Sequence, residues 1–244
     1  MAYAATRNRP IPGAVATQGV SERVAFLRRT YAHLGVALLV FAGLTGGIMR
    51  FYPEESLRAS IWASQGMNFL LVLGGFMFAG WAAERMATSN TSRAVQYGGL
   101  FLSVLAFSLL LQPLLWTVLI RSKTTADFNS LVGSAALITM VIFIGLTVTV
   151  FITKKDFSFL RGALVVGSFA ALGVIIASLL FGFQLGAIFS GLMILLMAGY
   201  ILHQTSSLAE HFPPTHHVAA ALMLFSTIAT LFFYVLRLLS ELRR

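Results

Sequence analysis

Seven long apolar runs divide the chain, separated by short stretches that carry nearly all of its charged residues. They fall at about 26–49, 67–83, 94–120, 131–152, 162–181, 187–203 and 218–239. Each is close to the ~20 apolar residues that a helix needs to cross a bilayer. The pattern therefore predicts an all-α integral membrane protein, a bundle of seven transmembrane helices. Before about Val24 the chain is polar, has no apolar period, and is expected to be a disordered tail. That divides the sequence into a tail over 1–24 and a helical domain over 25–244. The stretch between the first two runs reads as an amphipathic connector. Pro113 removes a backbone bond inside the third helix and predicts a kink near Leu109. Phe183-Gln184-Leu185 leaves room only for a tight antiparallel hairpin between the fifth and sixth helices. Gly43-x-x-x-Gly47 and Gly182-x-x-x-Gly186 are expected to let helix backbones approach closely.

Composition agrees with this and narrows it. Of the 244 residues, 58% are hydrophobic and 10% charged, against about a quarter charged in an ordinary globular domain. Seven crossings use roughly 140 positions, so no soluble catalytic domain fits. The first apolar run begins late and runs long, unlike a cleaved secretory signal. Without cysteine there are no disulfides and no thiolate metal sites.

The formal charge of +9 comes from cations scattered singly and in pairs at helix ends. Nucleic-acid binding would need a basic folded face; orientation in a membrane is the better use. Arg7, Arg9, Arg23, Arg28 and Arg29 in the tail, with Lys154, Lys155 and Arg161 between the fourth and fifth helices, place both segments in the cytoplasm. Seven crossings then leave Arg237, Arg243 and Arg244 outside, against the rule. A last segment that dips in and returns would relieve this; seven crossings are the favoured reading.

Intramembrane ionisable groups cost roughly 2.5–3.5 kcal/mol each on insertion scales and are functional candidates for that reason. Here every Asp and Glu falls at or beyond a helix end, so no buried carboxylate relay is expected. Arg85 ends the second helix, where snorkelling to the headgroups is the simpler account and a gate cation held near Gln204 the functional one. His203, His211, His216 and His217 gather around the connector before the last helix, as an interfacial turn. Pro213-Pro214 separates them too widely for metal-ligand spacing on one helix face, so neither metal nor cofactor is expected. His33 reads as an interfacial anchor. Gln204, Thr205, Ser226, Thr227 and Thr230 need partners inside the bilayer. Helix-to-helix bonds or bonds to the preceding turn suffice, and a polar lining is the alternative. No nucleophile, base and orienter share a depth, which argues against an enzyme.

Three stretches together resemble the Bax inhibitor-1 family, over about 26–239. They are Phe26-Leu27-Arg28-Arg29-Thr30-Tyr31, Thr153-Lys154-Lys155-Asp156-Phe157-Ser158-Phe159-Leu160, and the ending from Ala221 to Leu239. In the second, Asp156 is suited to cap the next helix start. The resemblance implies a seven-helix bundle with the last helix near its centre and a pH-sensitive leak for calcium or related cations. It further implies a gate made of two aspartates, one on each of the last two helices, and an arginine from the second helix. Gln204 and Thr227 stand where those aspartates are expected, and Arg85 matches the arginine. A Gln–Thr pair hydrogen-bonds but does not exchange a proton near neutral pH. Two functions follow: a cation or proton leak in which Arg85, His203, Gln204 and Thr227 line the former gate, or a non-conducting protein that modulates a membrane-bound AAA-type protease of the FtsH kind. The bacterial branch of the family implies an inner-membrane protein with a cytoplasmic amino terminus.

Overall fold

The computed structural model describes residues 15–17, 19–89, 92–153, 155–213 and 215–243, with backbone alone at 16 and 209–211. Described residues form a short 3₁₀ turn, Val15–Thr17, and eight α-helices. These are α1 (Val20–Phe51), α2 (Pro53–Ala63), α3 (Gly66–Ala87), α4 (Arg93–Arg121), α5 (Thr125–Thr153), α6 (Leu160–Phe181), α7 (Ala187–His211) and α8 (His217–Leu242). All but α2 are long and apolar enough to cross a membrane. The protein is thus a multi-pass, all-helical membrane bundle, as the apolar runs predict.

Helix α8 is its axis. It packs on α1, α4, α5 and α7, and more lightly on α3, and 72% of its most apolar window is buried. Phe225 meets the rings of Phe41 and Phe107 edge-on at 5.7 Å each. Outside this core α3 lies mainly on α4 and α6 on α7, and 6% of the corresponding window of each is buried. The α8 helix is unbroken over 26 residues, which overturns the idea of a segment that dips in and returns.

The connector is helix α2, with Pro53 at its first position, where a missing N–H costs nothing. Its Ser56 hydroxyl donates to Gln112 Oε1 at 3.0 Å, and Trp116 Nε1 donates to Ser56 Oγ at 2.8 Å. Gln112 Nε2 in turn donates to the carbonyls of Thr45 and Ser108. One buried glutamine therefore ties α1, α2 and α4 together. Helix α4 continues as one element through Pro113.

The helices extend beyond the apolar runs, most clearly at the start of the first. Helix α1 starts at Val20, inside the stretch to which no structure is expected, and the Val15 N–H donates to the Phe212 carbonyl at 3.0 Å. At 1.5 Å per residue α1 is about 48 Å long, well beyond a ~30 Å hydrocarbon core, so its polar first turns project into water. Residues 1–14, with Arg7 and Arg9, lie outside the described residues, as do Lys154, Pro214 and Arg244.

The glycine pairs are also corrected. A Cβ on Gly43, Gly182 or Gly186 would meet nothing within 4 Å, and one on Gly47 only the Phe51 ring at 3.9 Å. The close approach is elsewhere: a Cβ on Gly99 would lie 2.5 Å from the Ala83 carbonyl oxygen and 2.8 Å from the Ala87 nitrogen. Ala83, Ala87 and Gly99 are the small-residue seam between α3 and α4. Gly182 serves the α6–α7 hairpin differently, ending α6 at φ +70°, a conformation glycine adopts without strain.

Candidate functional site

Helices α7 and α8 are antiparallel partners, and their facing sides carry Gln204 and Thr227. Thr227 Oγ1 donates to Gln204 Oε1 at 2.9 Å and also lies 3.2 Å from the Met223 carbonyl. Both side chains are buried. Oxygen and nitrogen of the amide exchange places by a rotation about its last torsion. In the flipped orientation Gln204 donates to Thr227, which passes its own proton to Met223. Either way the pair is neutral.

A second polar group adjoins it. The Tyr31 hydroxyl on α1 faces those of Thr205 on α7 and Thr147 on α5, yet none of the three makes a hydrogen bond of good geometry. Thr147 and Thr205 are buried. Buried hydroxyls without partners are uncommon in folded proteins, and three converging from separate helices make a polar spot beside the Gln204–Thr227 bond. Ser226 and Thr230 do not join it; they donate back along α8 to the Met223 and Ser226 carbonyls, at 3.0 and 2.8 Å.

The other two gate candidates face elsewhere. Arg85 is exposed on α3, its guanidinium 5.7 Å from the centre of the Trp81 ring, a cation–π contact on the outer side of the bundle. His203 is half-buried against the α5–α6 connector: its Nδ1 lies 3.3 Å from the Phe157 carbonyl, so Nδ1 carries the proton. Ser206 accepts from the Phe157 N–H and donates to the His203 carbonyl. Asp156 accepts from the Ser158 N–H and hydroxyl at 2.8 and 2.7 Å. It shapes the turn before α6, while the residue at the cap position is Phe159. The structure thus joins Gln204 to Thr227 and sets Arg85 and His203 apart from them.

His217 packs against His33 with ring centres 5.1 Å apart, and His33 stacks on Tyr97. His33 Nδ1 lies 2.7 Å from the Arg29 carbonyl and Nε2 lies 2.9 Å from the Tyr97 hydroxyl. A carbonyl only accepts, so Nδ1 donates and the neutral ring takes the Tyr97 proton at Nε2. This link between α1, α4 and α8 escapes a reading of the sequence, which has no signal that pairs position 33 with 97 or 217. Among the described residues no three His, Cys, Asp or Glu side chains are grouped to hold a metal ion.

Residues 23–244 match the family described as "Inhibitor of apoptosis-promoting Bax1". The chain belongs to the Bax inhibitor-1 family. An uncharacterized protein of Pseudomonas aeruginosa is 30% identical over 215 residues, 87% of either chain. Bax inhibitor 1 of Schizosaccharomyces pombe is 29% identical, over 94% of this chain and 81% of its own. Mouse protein lifeguard 4 is 25% identical, over 94% and 90%. No solved structure is significantly similar to the chain. Membership in the Bax inhibitor-1 family gives the α7–α8 contact its interest, because this is where the resemblance implies carboxylates and where Gln204 and Thr227 stand.

Proposed function

We propose that this protein is a Bax inhibitor-1-type cation leak whose gate has lost its proton switch. The observation that carries the reading is the buried 2.9 Å bond between Thr227 and Gln204. A hydrogen bond between two groups that stay neutral near pH 7 holds the α7–α8 contact equally at pH 6 and pH 8. The hydroxyls of Tyr31, Thr147 and Thr205 supply oxygen ligands beside it, of the kind calcium accepts, but without the charge that makes its binding strong. Flux is therefore low and flat with pH. Arg85 and His203 take no part in the path.

The orientation proposed is an amino terminus in the cytoplasm of a bacterium, across the inner membrane. Arg23, Arg28, Arg29, Arg85, Arg93, Lys155 and Arg161 lie at the ends shared with the amino terminus, and a bacterial relative supports the compartment.

The test is calcium and proton flux in liposomes holding the purified protein. Native protein is expected to pass ions slightly above empty vesicles with less than a two-fold change from pH 6 to pH 8. Gln204→Asp with Thr227→Asp restores two coupled carboxylates and should add a steep pH dependence. Native flux equal to that of empty vesicles at every pH removes the leak. A pH-dependent native flux that His203→Gln abolishes removes the claim that the switch is lost.

A second reading, an interaction protein acting on a membrane-bound FtsH-like protease, is favoured by the first turns of α1. They are exposed on all sides, with Val20 80% and Val24 58% exposed, and project past the membrane as a handle. Unchanged protease association after deletion of residues 1–24 would count against it.

A further inference from the structure

At the end of the bundle away from the α7–α8 turn, α3, α4 and α8 enclose a cavity of about 260 Å³. Its walls are apolar, built mainly from Phe69, Phe76, Phe107, Leu110 and Phe233, and Ile175 of α6 closes one edge. Helix α3 rests mainly on α4 and α6 on α7, so α3 and α6 are not seamed to each other beside this space. The far end changes character. Arg237 lines both the cavity and a second hollow of about 600 Å³ with mixed walls, which also takes in Arg121, Gln184 and Ser240. Lys123 and Arg243 border the next hollow.

The charge balance at this mouth is positive. Arg121, Lys123, Arg237 and Arg243 outnumber two carboxylates, Asp127 and Glu241; Glu241 is paired with Arg237 through Oε1, and its Oε2 is buried without a hydrogen-bond partner. Asp127 accepts from the Thr124 hydroxyl at 2.9 Å, and Glu241 from Arg237 Nε at 3.1 Å. Arg237 Nη2 donates to the Leu185 carbonyl, which fixes the guanidinium at the junction and leaves Nη1 uncommitted. An apolar slot ending on a held arginine, inside a cationic rim at headgroup level, matches an amphiphile with one chain and an anionic head.

We propose that the cavity binds a long-chain fatty acid, its chain between α3, α4 and α8 and its carboxylate on Arg237. Size limits the chain: the volume lies just under the ~300 Å³ at which drug-sized sites begin, which takes part of one unbranched tail and has no room for the paired tails of a phospholipid. Charge selects the head, since Arg237 Nη1 is the guanidinium nitrogen left to make a charge-assisted hydrogen bond to a carboxylate. The site begins about one helical turn from Thr227, at Thr230, and runs along α8 away from the Gln204–Thr227 bond to Arg237.

The experiment uses the full-length protein in phosphatidylcholine nanodiscs and a diazirine-bearing fatty acid, with the cross-links mapped by mass spectrometry. Saturable labelling within 69–76 and 107–114 is expected, competed by oleate and not by its methyl ester. Leu110→Trp fills the slot and should cut that labelling at least ten-fold. Met77→Trp, on the lipid-facing side of α3, should leave it unchanged. Arg121→Gln with Lys123→Gln alters only surface charge and should weaken competition by oleate at low salt several-fold. Labelling that rises linearly with probe and spreads over the outer faces of α3 and α6 overturns the proposal. So does a methyl ester that competes as well as the acid, or competition by phosphatidylglycerol but not by oleate.

Discussion

Helices α6 and α8 are alike in composition and opposite in surroundings. Both are strongly apolar, α6 the more so, yet 72% of the α8 window is buried and 6% of the α6 window. Lipid tails are as apolar as leucine, so hydrophobicity drives a helix into the bilayer and then says nothing about whether lipid or another helix will surround it. Position in the bundle is decided by fit. Helix α8 is held by volume filled on every side; α3 and α6 are each held mainly by one seam, where small residues meet. Substitutions at the two kinds of contact should behave differently, and that difference is measurable.

The largest effect is expected at a seam. A side chain on Gly99 collides with backbone atoms of Ala83 and Ala87, which cannot rotate away, so Gly99→Val should cost about 3 kcal/mol, the upper range for overpacking. Unfolding in mixed micelles, read by helical circular dichroism, measures it. Gly43→Ala, where a Cβ meets nothing within 4 Å, should change stability by less than about 0.5 kcal/mol. Equal costs at the two glycines would mean that α3 is not held by fit.

Phe225→Ala comes next. In a soluble core truncating a buried Phe costs about 3–5 kcal/mol, but part of that is transfer from water, which falls away when the separated helix keeps its ring in lipid. What remains is the lost packing against Phe41 and Phe107, about 2 kcal/mol by the cavity contribution alone. Phe169→Ala on α6, 72% exposed, should cost almost nothing by the same assay. A comparable loss at Phe169 would require a partner over α6 and would break the contrast between inner and outer helices.

Much of this architecture is legible in the sequence because the bilayer imposes a length. Seven runs of the right size are seven crossings, and the amphipathic connector is α2. The helix ends are less so. Ser21, Glu22 and Arg23 read as tail, yet they continue α1 into water, where a helix already nucleated below needs no apolar face to propagate. The glycines show the limit most clearly. A four-residue spacing tells that Gly43 and Gly47 share a face, not that anything faces them, whereas Gly99 is a single glycine whose partners, Ala83 and Ala87, lie on another helix. The candidate site divides the same way. Gln204 with Thr227 is legible through family resemblance, while the approach of Tyr31 to Thr147 and Thr205, and of His33 to Tyr97 and His217, joins positions far apart in the chain that no local pattern connects.

A smaller effect is expected at Gly199, on the seam between α6 and α7. A Cβ there would come within 2.8 Å of Leu164 Cδ2, the far end of a flexible side chain that can turn toward lipid. Gly199→Ala should therefore cost less than about 1 kcal/mol, well under Gly99→Val, although both positions are tight. The ratio of the two sharpens the comparison, since it separates a seam closed on backbone from one closed on a rotamer.

At the polar pair the sign of a difference matters more than the size of either effect. In Gln204→Leu the Thr227 hydroxyl keeps its acceptor in the Met223 carbonyl at 3.2 Å, so only an interhelical bond is lost, about 0.6 kcal/mol in a membrane. In Thr227→Val the Gln204 amide stays buried and loses the partner that faced it, which costs about 1–3 kcal/mol. Thr227→Val should thus be the more damaging change although it removes the smaller side chain. If the order is reversed, the amide is not sealed between α7 and α8 but already reaches water. A wetted Gln204 beside the hydroxyls of Tyr31, Thr147 and Thr205 is what an open path would present. The two substitutions, read for stability, therefore test whether α8 is packed solid at its centre before any flux is measured.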